Sequence, residues 1–331
     1  MVEVNRKQCE NTGRVISQYN IRPAFYKRDF LNFDADRETK MRTYFLSAAI
    51  CHQTHNLHHP DLNLWGWEYM EHGFLELVRK RHPLLNPGYM SICSQPDIAG
   101  LLQETFSPTG KKEGSSLDRI EERSAMWLNI CSFVKNNFQG SISRMIDSSE
   151  GRLISDGKGL YERLSGLSAF ADPEMKKLTF FIKLATDAGI LNIKDPENLI
   201  PIMDYHMQRV LLRTGCVVVT DKELAGKLSS RTPVDSDAPV RSACIEAMKH
   251  IAEASGKNLL AMNDFFWPLG RSCCHEITLC RDKSCSKNPC TLATILNLEQ
   301  HDSCILQNEC KGAFDDTYLR LWEPVVETSY Y

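Results

Sequence analysis

The sequence predicts an all-α protein with a metal-stabilised C-terminal segment. Three observations carry this. Apolar residues recur at helical spacing in one segment after another, strand-like alternation is scarce, and seven of the thirteen cysteines fall between Cys273 and Cys310. A chain of 331 residues can bury a full core, and 24% charged with 9% aromatic residues is a globular composition. Three segments are expected: an N-terminal extension over residues 1–40 that packs on the core, a helical core over 41–260 with a helical hairpin at about 160–189, and a cysteine-rich segment over 261–331.

No apolar run is long enough to span a membrane, and the first residues carry no apolar signal-peptide core. The expectation is a monomeric protein of the cytoplasm or nucleoid, or of the nucleus if eukaryotic, with no membrane partner. A formal charge of −3 weighs mildly against a strong non-specific grip on nucleic acid, which needs clustered Lys and Arg.

Taken in order, Arg37 to Gln53 places Tyr44, Ala48 and Cys51 beside Phe45, Ala49 and His52 as a wide apolar stripe on one helix. The helix runs into a histidine-rich stretch and stops before Pro60. His52, His55 and His59 have helical spacing, but they read as polar helix-end or substrate-facing residues sooner than as metal ligands. Leu64 to Val78 reads as a helix with an aromatic first turn. There Trp65, Trp67 and Tyr69 either line a ring-binding pocket or pack two helices together. Ser94 with Asp97 can cap another helix, residues 107–116 form a loop by composition, and Asp118 to Asn137 is a helix.

From Leu160 to Leu184 the pattern is a helix, a break at Ala169 to Asp172, Pro173 in the first turn of a second helix, and an end near Gly189. Asp221 to Val240 reads as a loop or weak helix, Arg241 to Ser255 as a helix stopped by Gly256, and Leu259 to Trp267 as an apolar packing segment. Asp204 follows a short apolar run and opens a helix that carries Met207 and Leu211 on one face. It is either a helix N-cap or a catalytic carboxylate held at a helix start.

The stretch Ile200-Pro-Ile-Met-Asp-Tyr-His-Met-Gln-Arg-Val-Leu-Leu-Arg-Thr214 resembles the catalytic segment of the helix-hairpin-helix DNA glycosylase superfamily. Asp204, His206, Arg209, Val210, Arg213 and Thr214 match its endonuclease III-like pattern. Leu46 to Thr54 is similar to that family's first core helix, which puts Gln53 where a polar residue enters the space left by a flipped base. Trp65 to Tyr69 is closer to the archaeal 8-oxoguanine glycosylase branch.

The resemblance covers roughly residues 40–80 and 160–310, and it implies a helix-hairpin-helix glycosylase-like fold of two helical subdomains with a cleft between them. It departs from the family at the hairpin, where Leu167 to Ala171 replaces the usual glycine-rich turn. It departs again at Thr186, which stands at the endonuclease III lysine position. The archaeal branch places its lysine in a segment similar to Lys177 to Lys183, so the resemblance implies Lys177 as the nucleophile, with Lys183 weaker and Lys176 solvated.

Physically, a glycosidic bond to a base breaks through a cationic sugar, which a carboxylate stabilises, and a lysine of lowered pKa can attack C1′. Asp204 and Lys177 fit those roles, with Gln53, Trp65, Trp67, Tyr69 and His206 as substrate-binding candidates. The implied reaction is removal of a damaged base, an oxidised purine, from double-stranded DNA, with lyase activity through a lysine Schiff base. Two alternatives stand beside it: a queuosine-type nucleoside or nucleotide N-glycosidase, and a non-catalytic nucleic-acid binding module.

In the C-terminal segment the candidate metal ligands are Cys273, Cys274, Cys280, Cys285, Cys290, His301, Cys304 and Cys310. In a reducing compartment such a cluster reads as a metal site sooner than as disulfides. Zinc accepts mixed Cys and His ligands, and thiolates also suit an iron–sulfur cluster. The resemblance favours an iron–sulfur cluster of the 4Fe-4S type, although His301 stands where that family has a cysteine.

Overall fold

The computed structural model describes residues 1–287 and 289–331. The chain is predominantly helical, and the described residues contain two small antiparallel sheets, Val2–Val4 with Val217–Val219 and His58–His59 with Leu64–Trp65. Its contacts sort into two compact units. One joins Met1–Ala24 to Ile200–Glu327, and the other joins Phe25–Leu199 to Thr328–Tyr331. These boundaries run along different lines from the three consecutive segments expected from sequence. The chain's first residues and its cysteine-rich part belong to the same unit.

In the Phe25–Leu199 unit the helix Arg37–Ala49 packs against Lys176–Asp187, and Gln95–Thr105 packs against Ile120–Phe138. Phe45 stands at the centre, 4.9 Å from the Phe170 ring and 5.0 Å from the Phe181 ring. Polar groups end these helices as the sequence signals require. Asp36 caps Arg37–Ala49, Ser94 and Asp97 form the expected capping box, and Asp172 accepts from the backbone N–H of Lys176. The stretch from residue 160 to 189 folds as Leu160–Leu164, a 3-10 turn at Ser168–Phe170, and Lys176–Asp187. Pro173 lies before the second helix and not in its first turn, because the left-handed Met175 (φ 52°) and the Asp172 cap place the start at Lys176.

In the other unit Arg6–Ser17 packs on Ala238–Ser255, and the approach requires Gly13. A Cβ there would stand 2.7 Å from the Ala254 Cβ and 2.8 Å from the Ile251 carbonyl oxygen. Tyr205–Thr214 packs against Ala238–Ser255, against Leu259–Pro268, and against the turn that follows. Asp221 caps a helix at Lys222–Ser230, and a loop follows it up to the helix Ala238–Ser255, so the stretch read as a loop or weak helix holds both. Trp65 lies in the short ladder with His58, so the aromatic helix starts at Trp67 and runs to Arg79.

Candidate metal centre and candidate catalytic residues

Leu259–Pro268 continues into a π-helical turn, Leu269–Cys273, after Pro268 interrupts the helical ladder. Gly270 lets that turn lie against the Tyr205–Thr214 helix, since a Cβ would come 2.5 Å from the His206 carbonyl oxygen. Two buried arginines fasten the contact. Arg209 donates from Nε to the Cys274 carbonyl (2.9 Å) and from Nη2 to the Gly270 carbonyl (2.8 Å), and pairs through Nη1 with Glu323 (2.6 Å). Arg213 donates to the carbonyls of Leu321 (2.9 Å) and His275 (2.9 Å). The two arginines therefore brace the turn that delivers the first cysteine and the residues just after it.

Four of the eight candidate ligands converge: Cys273, Cys285, Cys290 and His301 bring one donor atom each to within 4.8 Å of one another. Cys273 Sγ lies 3.5 Å from Cys290 Sγ and 3.6 Å from Cys285 Sγ. His301 Nε2 stands 3.2, 3.4 and 3.3 Å from the sulfurs of Cys273, Cys285 and Cys290. The Cys285 loop is tied to the π-helical turn by the Ser286 N–H on the Ser272 carbonyl (2.7 Å), and Cys290 opens the helix Thr291–Leu296.

Interaction with Cys273 draws the Cys290 thiol down to about 4, with His301 adding to the effect, whereas the Cys290 contact and burial raise Cys273. A three-thiol, one-imidazole set of this compactness can chelate a metal ion.

Cys274, Cys280, Cys304 and Cys310 are not members of that group. Cys274 faces the other way, with Arg213 Nη1 3.7 Å from its sulfur, and Cys310 Sγ donates to the Arg213 carbonyl (3.5 Å). Burial raises the thiols of Cys280 and Cys304, and pushes Cys310 up to about 12. In each the charge of Cys274 adds to the effect. Adjacent residues Cys273 and Cys274 thus look to different neighbours, which spacing along the chain did not reveal.

Lys177 is fully buried on the Lys176–Asp187 helix. Its Nζ donates to the Ala49 carbonyl (2.8 Å) and lies 3.0 Å from His52 Nδ1 and 3.8 Å from Met126 Sδ. Burial, with Lys176 and Arg123 nearby, lowers its pKa from 10.5 to about 7. Lys183 is engaged in an ion pair with Asp187, one turn on. Lys176 is not solvated as the sequence suggested: it is 8% exposed, with its Nζ 3.6 Å from Cys51 Sγ and over the Phe180 ring. The amphipathic pattern did not show that this helix buries both faces.

Asp204 is the N-cap of Tyr205–Thr214 and accepts from the Met207 N–H at 3.1 Å, with 7% of its surface exposed. One turn on, both amide atoms of the buried Gln208 have no hydrogen-bond partner among the described residues. His206 Nδ1 lies 2.9 Å from Arg209 Nη2, and its ring is 4.2 Å from that of Tyr205.

Gln53 takes a left-handed backbone (φ 42°), donates its N–H to the Tyr331 carbonyl and accepts from Arg119 Nη1 at 2.9 Å. Trp65 is 47% exposed and stacked on His58 (5.0 Å, 19°). Trp67 packs among Phe25, Phe30 and Phe180 with its Nε1 donating to Glu71 at 2.7 Å, and Tyr69 is buried against Phe106 and His59. Of the three rings, Trp65 alone is exposed. Two functional candidates escaped the sequence, His52 as Lys177's neighbour and Arg123 as the clamp on its loop, because only the fold brings residues 52, 123 and 177 together.

No helix among the described residues is long and apolar enough to cross a membrane. The chain matches no protein-family model and no curated protein.

Proposed function

We propose that this protein cleaves the N-glycosidic bond of a damaged base, an oxidised purine, in double-stranded DNA. Lys177 is the attacking amine, and Asp204 is the candidate carboxylate for stabilising a cationic sugar. The observation that carries the reading is the Lys177 amine, buried against a carbonyl, an imidazole and a thioether, with its pKa lowered to about 7. A large share of it is the neutral nucleophile near pH 7, where an ordinary lysine is almost wholly protonated.

The amine forms a bond to C1′ as the base leaves with the glycosidic electron pair and takes up a proton. Opening of the sugar ring then gives an imine from which the 3′ phosphate can be eliminated. A carboxylate fixed at a helix start, as Asp204 is, can oppose positive charge on a sugar. The unpaired Gln208 amide supports a polar ligand in its neighbourhood, and exposed Trp65 offers a face for stacking a base.

The metal centre is read as structural, and as zinc. Zn–S bonds of about 2.3 Å and Zn–N bonds of about 2.0–2.1 Å at tetrahedral angles put ligand atoms about 3.6–3.8 Å apart. The Cys273 sulfur and the His301 Nε2 lie within a few tenths of an ångström of that spacing from the other donors. A 4Fe-4S cluster binds each thiolate to a different iron and needs a wider ring of sulfurs. Zinc supplies no step of the reaction in this reading; it ties the loops at 285, 290 and 301 to the π-helical turn.

The test is borohydride trapping on lesion-containing duplexes, with elemental analysis of the same preparation. A covalent adduct lost in Lys177→Ala and kept in Lys183→Ala supports the lyase. Base release without trapping, lost in Asp204→Asn, reduces the reading to hydrolysis. Release from nucleosides or nucleotides alone moves it to a queuosine-type glycosidase, and duplex binding with no release moves it to a binding module.

A further inference from the structure

We propose that His52 and Glu122 form the path by which the buried Lys177 amine loses and regains its proton, with His52 as a positioning residue and Glu122 as the outlet to water. The inference rests on the reading of Lys177 as a nucleophile only for its purpose, and its geometry stands by itself. A lysine with no solvent-exposed surface cannot exchange a proton with bulk water directly, yet an amine nucleophile must be deprotonated before attack and reprotonated afterwards.

The contacts supply one continuous line. Lys177 Nζ lies 3.0 Å from His52 Nδ1. With Nδ1 accepting from the amine, the ring proton of a neutral imidazole sits on Nε2. Nε2 is buried, has no hydrogen-bond partner among the described residues, and faces Glu122 Oε2 at 3.6 Å, a gap that a small side-chain movement closes. The Glu122 side chain is 31% exposed and is held by Arg119 Nε at 2.6 Å, so it is the member of the line that meets solvent.

The proton count balances. The ammonium passes a proton to Nδ1 while Nε2–H passes one to the Glu122 carboxylate, which releases it to water. The products are a neutral amine and a neutral imidazole in its other tautomer, and the reverse sequence restores the start.

The surroundings suit the role. Burial first, and then the charges of Lys177, Arg123, Arg119 and Lys176, hold His52 neutral and therefore able to accept. The groups facing the amine are Cys51, Lys176, Arg123 and Glu122, and among them Glu122 supplies the carboxylate.

The backbone that carries His52 is clamped. Arg123, with a fully buried side chain, donates to the carbonyls of Ile50, His52 (2.8 Å) and Asp118 (2.8 Å) and pairs with the Asp118 carboxylate at 3.0 Å. A guanidinium spent on three carbonyls fixes where the imidazole starts.

The experiment uses the full chain with nitrogen-labelled lysine. NMR would read two quantities for Lys177 Nζ, its titration midpoint and the exchange rate of its protons with water, in the wild type, Glu122→Gln, Glu122→Asp and His52→Gln. Glu122→Gln keeps the Lys177–His52 contact and alters a partly exposed side chain, so it tests the path in a variant expected to fold. Exchange is expected to slow by about tenfold or more in Glu122→Gln and His52→Gln and to recover in part in Glu122→Asp. Unchanged exchange in a folded Glu122→Gln protein overturns the proposal.

Borohydride trapping run in parallel separates the two readings. Slowed exchange with no trapping in the wild type leaves the path standing and removes its catalytic purpose. Slowed exchange together with slowed trapping in Glu122→Gln supports both.

Discussion

Replacing Lys177 with methionine, which has a similar length and no charge, should stabilise the protein, by an amount that depends on pH. The folded chain holds this lysine at a pKa of about 7 against 10.5 for the free side chain. As pH falls from above 10.5 toward 7, the unfolded chain binds a proton that the folded chain refuses. Stability is then lost at about 1.4 kcal/mol per pH unit. Integrated, the penalty is about 2 kcal/mol at pH 9 and about 4 kcal/mol at pH 7, and it levels off below the folded pKa.

Methionine removes this penalty but leaves the Ala49 carbonyl and His52 Nδ1 without the amine, a cost of about 1–2 kcal/mol. The net gain is therefore about 3 kcal/mol at pH 7, shrinking to about 0.5 kcal/mol at pH 9. Urea denaturation of both proteins at the two pH values measures it. The quantity to read is the change of about 2 kcal/mol in the difference between the curves, since the lost hydrogen bonds cancel from it. A difference that stays constant from pH 9 to pH 7 would refute the lowered pKa, and with it the case for Lys177 as a nucleophile at neutral pH.

Asparagine caps a helix as well as aspartate does, so Asp204→Asn should change stability by no more than a few tenths of a kcal/mol while abolishing base release. A variant that is stable and still active would leave Asp204 a cap alone. Cys285→Ser should lower the content of whatever metal ion the cluster holds and make the cysteine-rich segment open to limited proteolysis, read by elemental analysis and mass spectrometry. Gly270→Ala forces a methyl group against the His206 carbonyl and should cost about 1–3 kcal/mol in urea denaturation. Trp67→Phe should lower the urea midpoint by removing the Nε1 bond to Glu71, whereas Trp65→Ala should leave the midpoint nearly unchanged and weaken binding of lesion duplexes if Trp65 stacks on a base.

The chain by itself determined the local structure and some of the chemistry. Helical periodicity and end signals placed Ile120–Phe138, Ala238–Ser255 and Lys176–Asp187 within a few residues, because caps such as Ser94, Asp172 and Gly256 act through hydrogen bonds that reach only three or four positions. The cysteine count announced a metal centre for a similar reason, since thiols packed so densely in one segment have few other uses.

What spacing could not supply was the partition of ligands. Cys273 and Cys274 are neighbours in the chain, yet a π-helical turn sends the first to Cys285, Cys290 and His301 and leaves the second beside Arg213. Tertiary structure alone also separated Trp67 from Trp65, one locked among phenylalanines and the other exposed, although two positions part them. It likewise brought His52 and Arg123 to Lys177, because the pKa of an amine depends on how much water and charge the whole fold leaves around it.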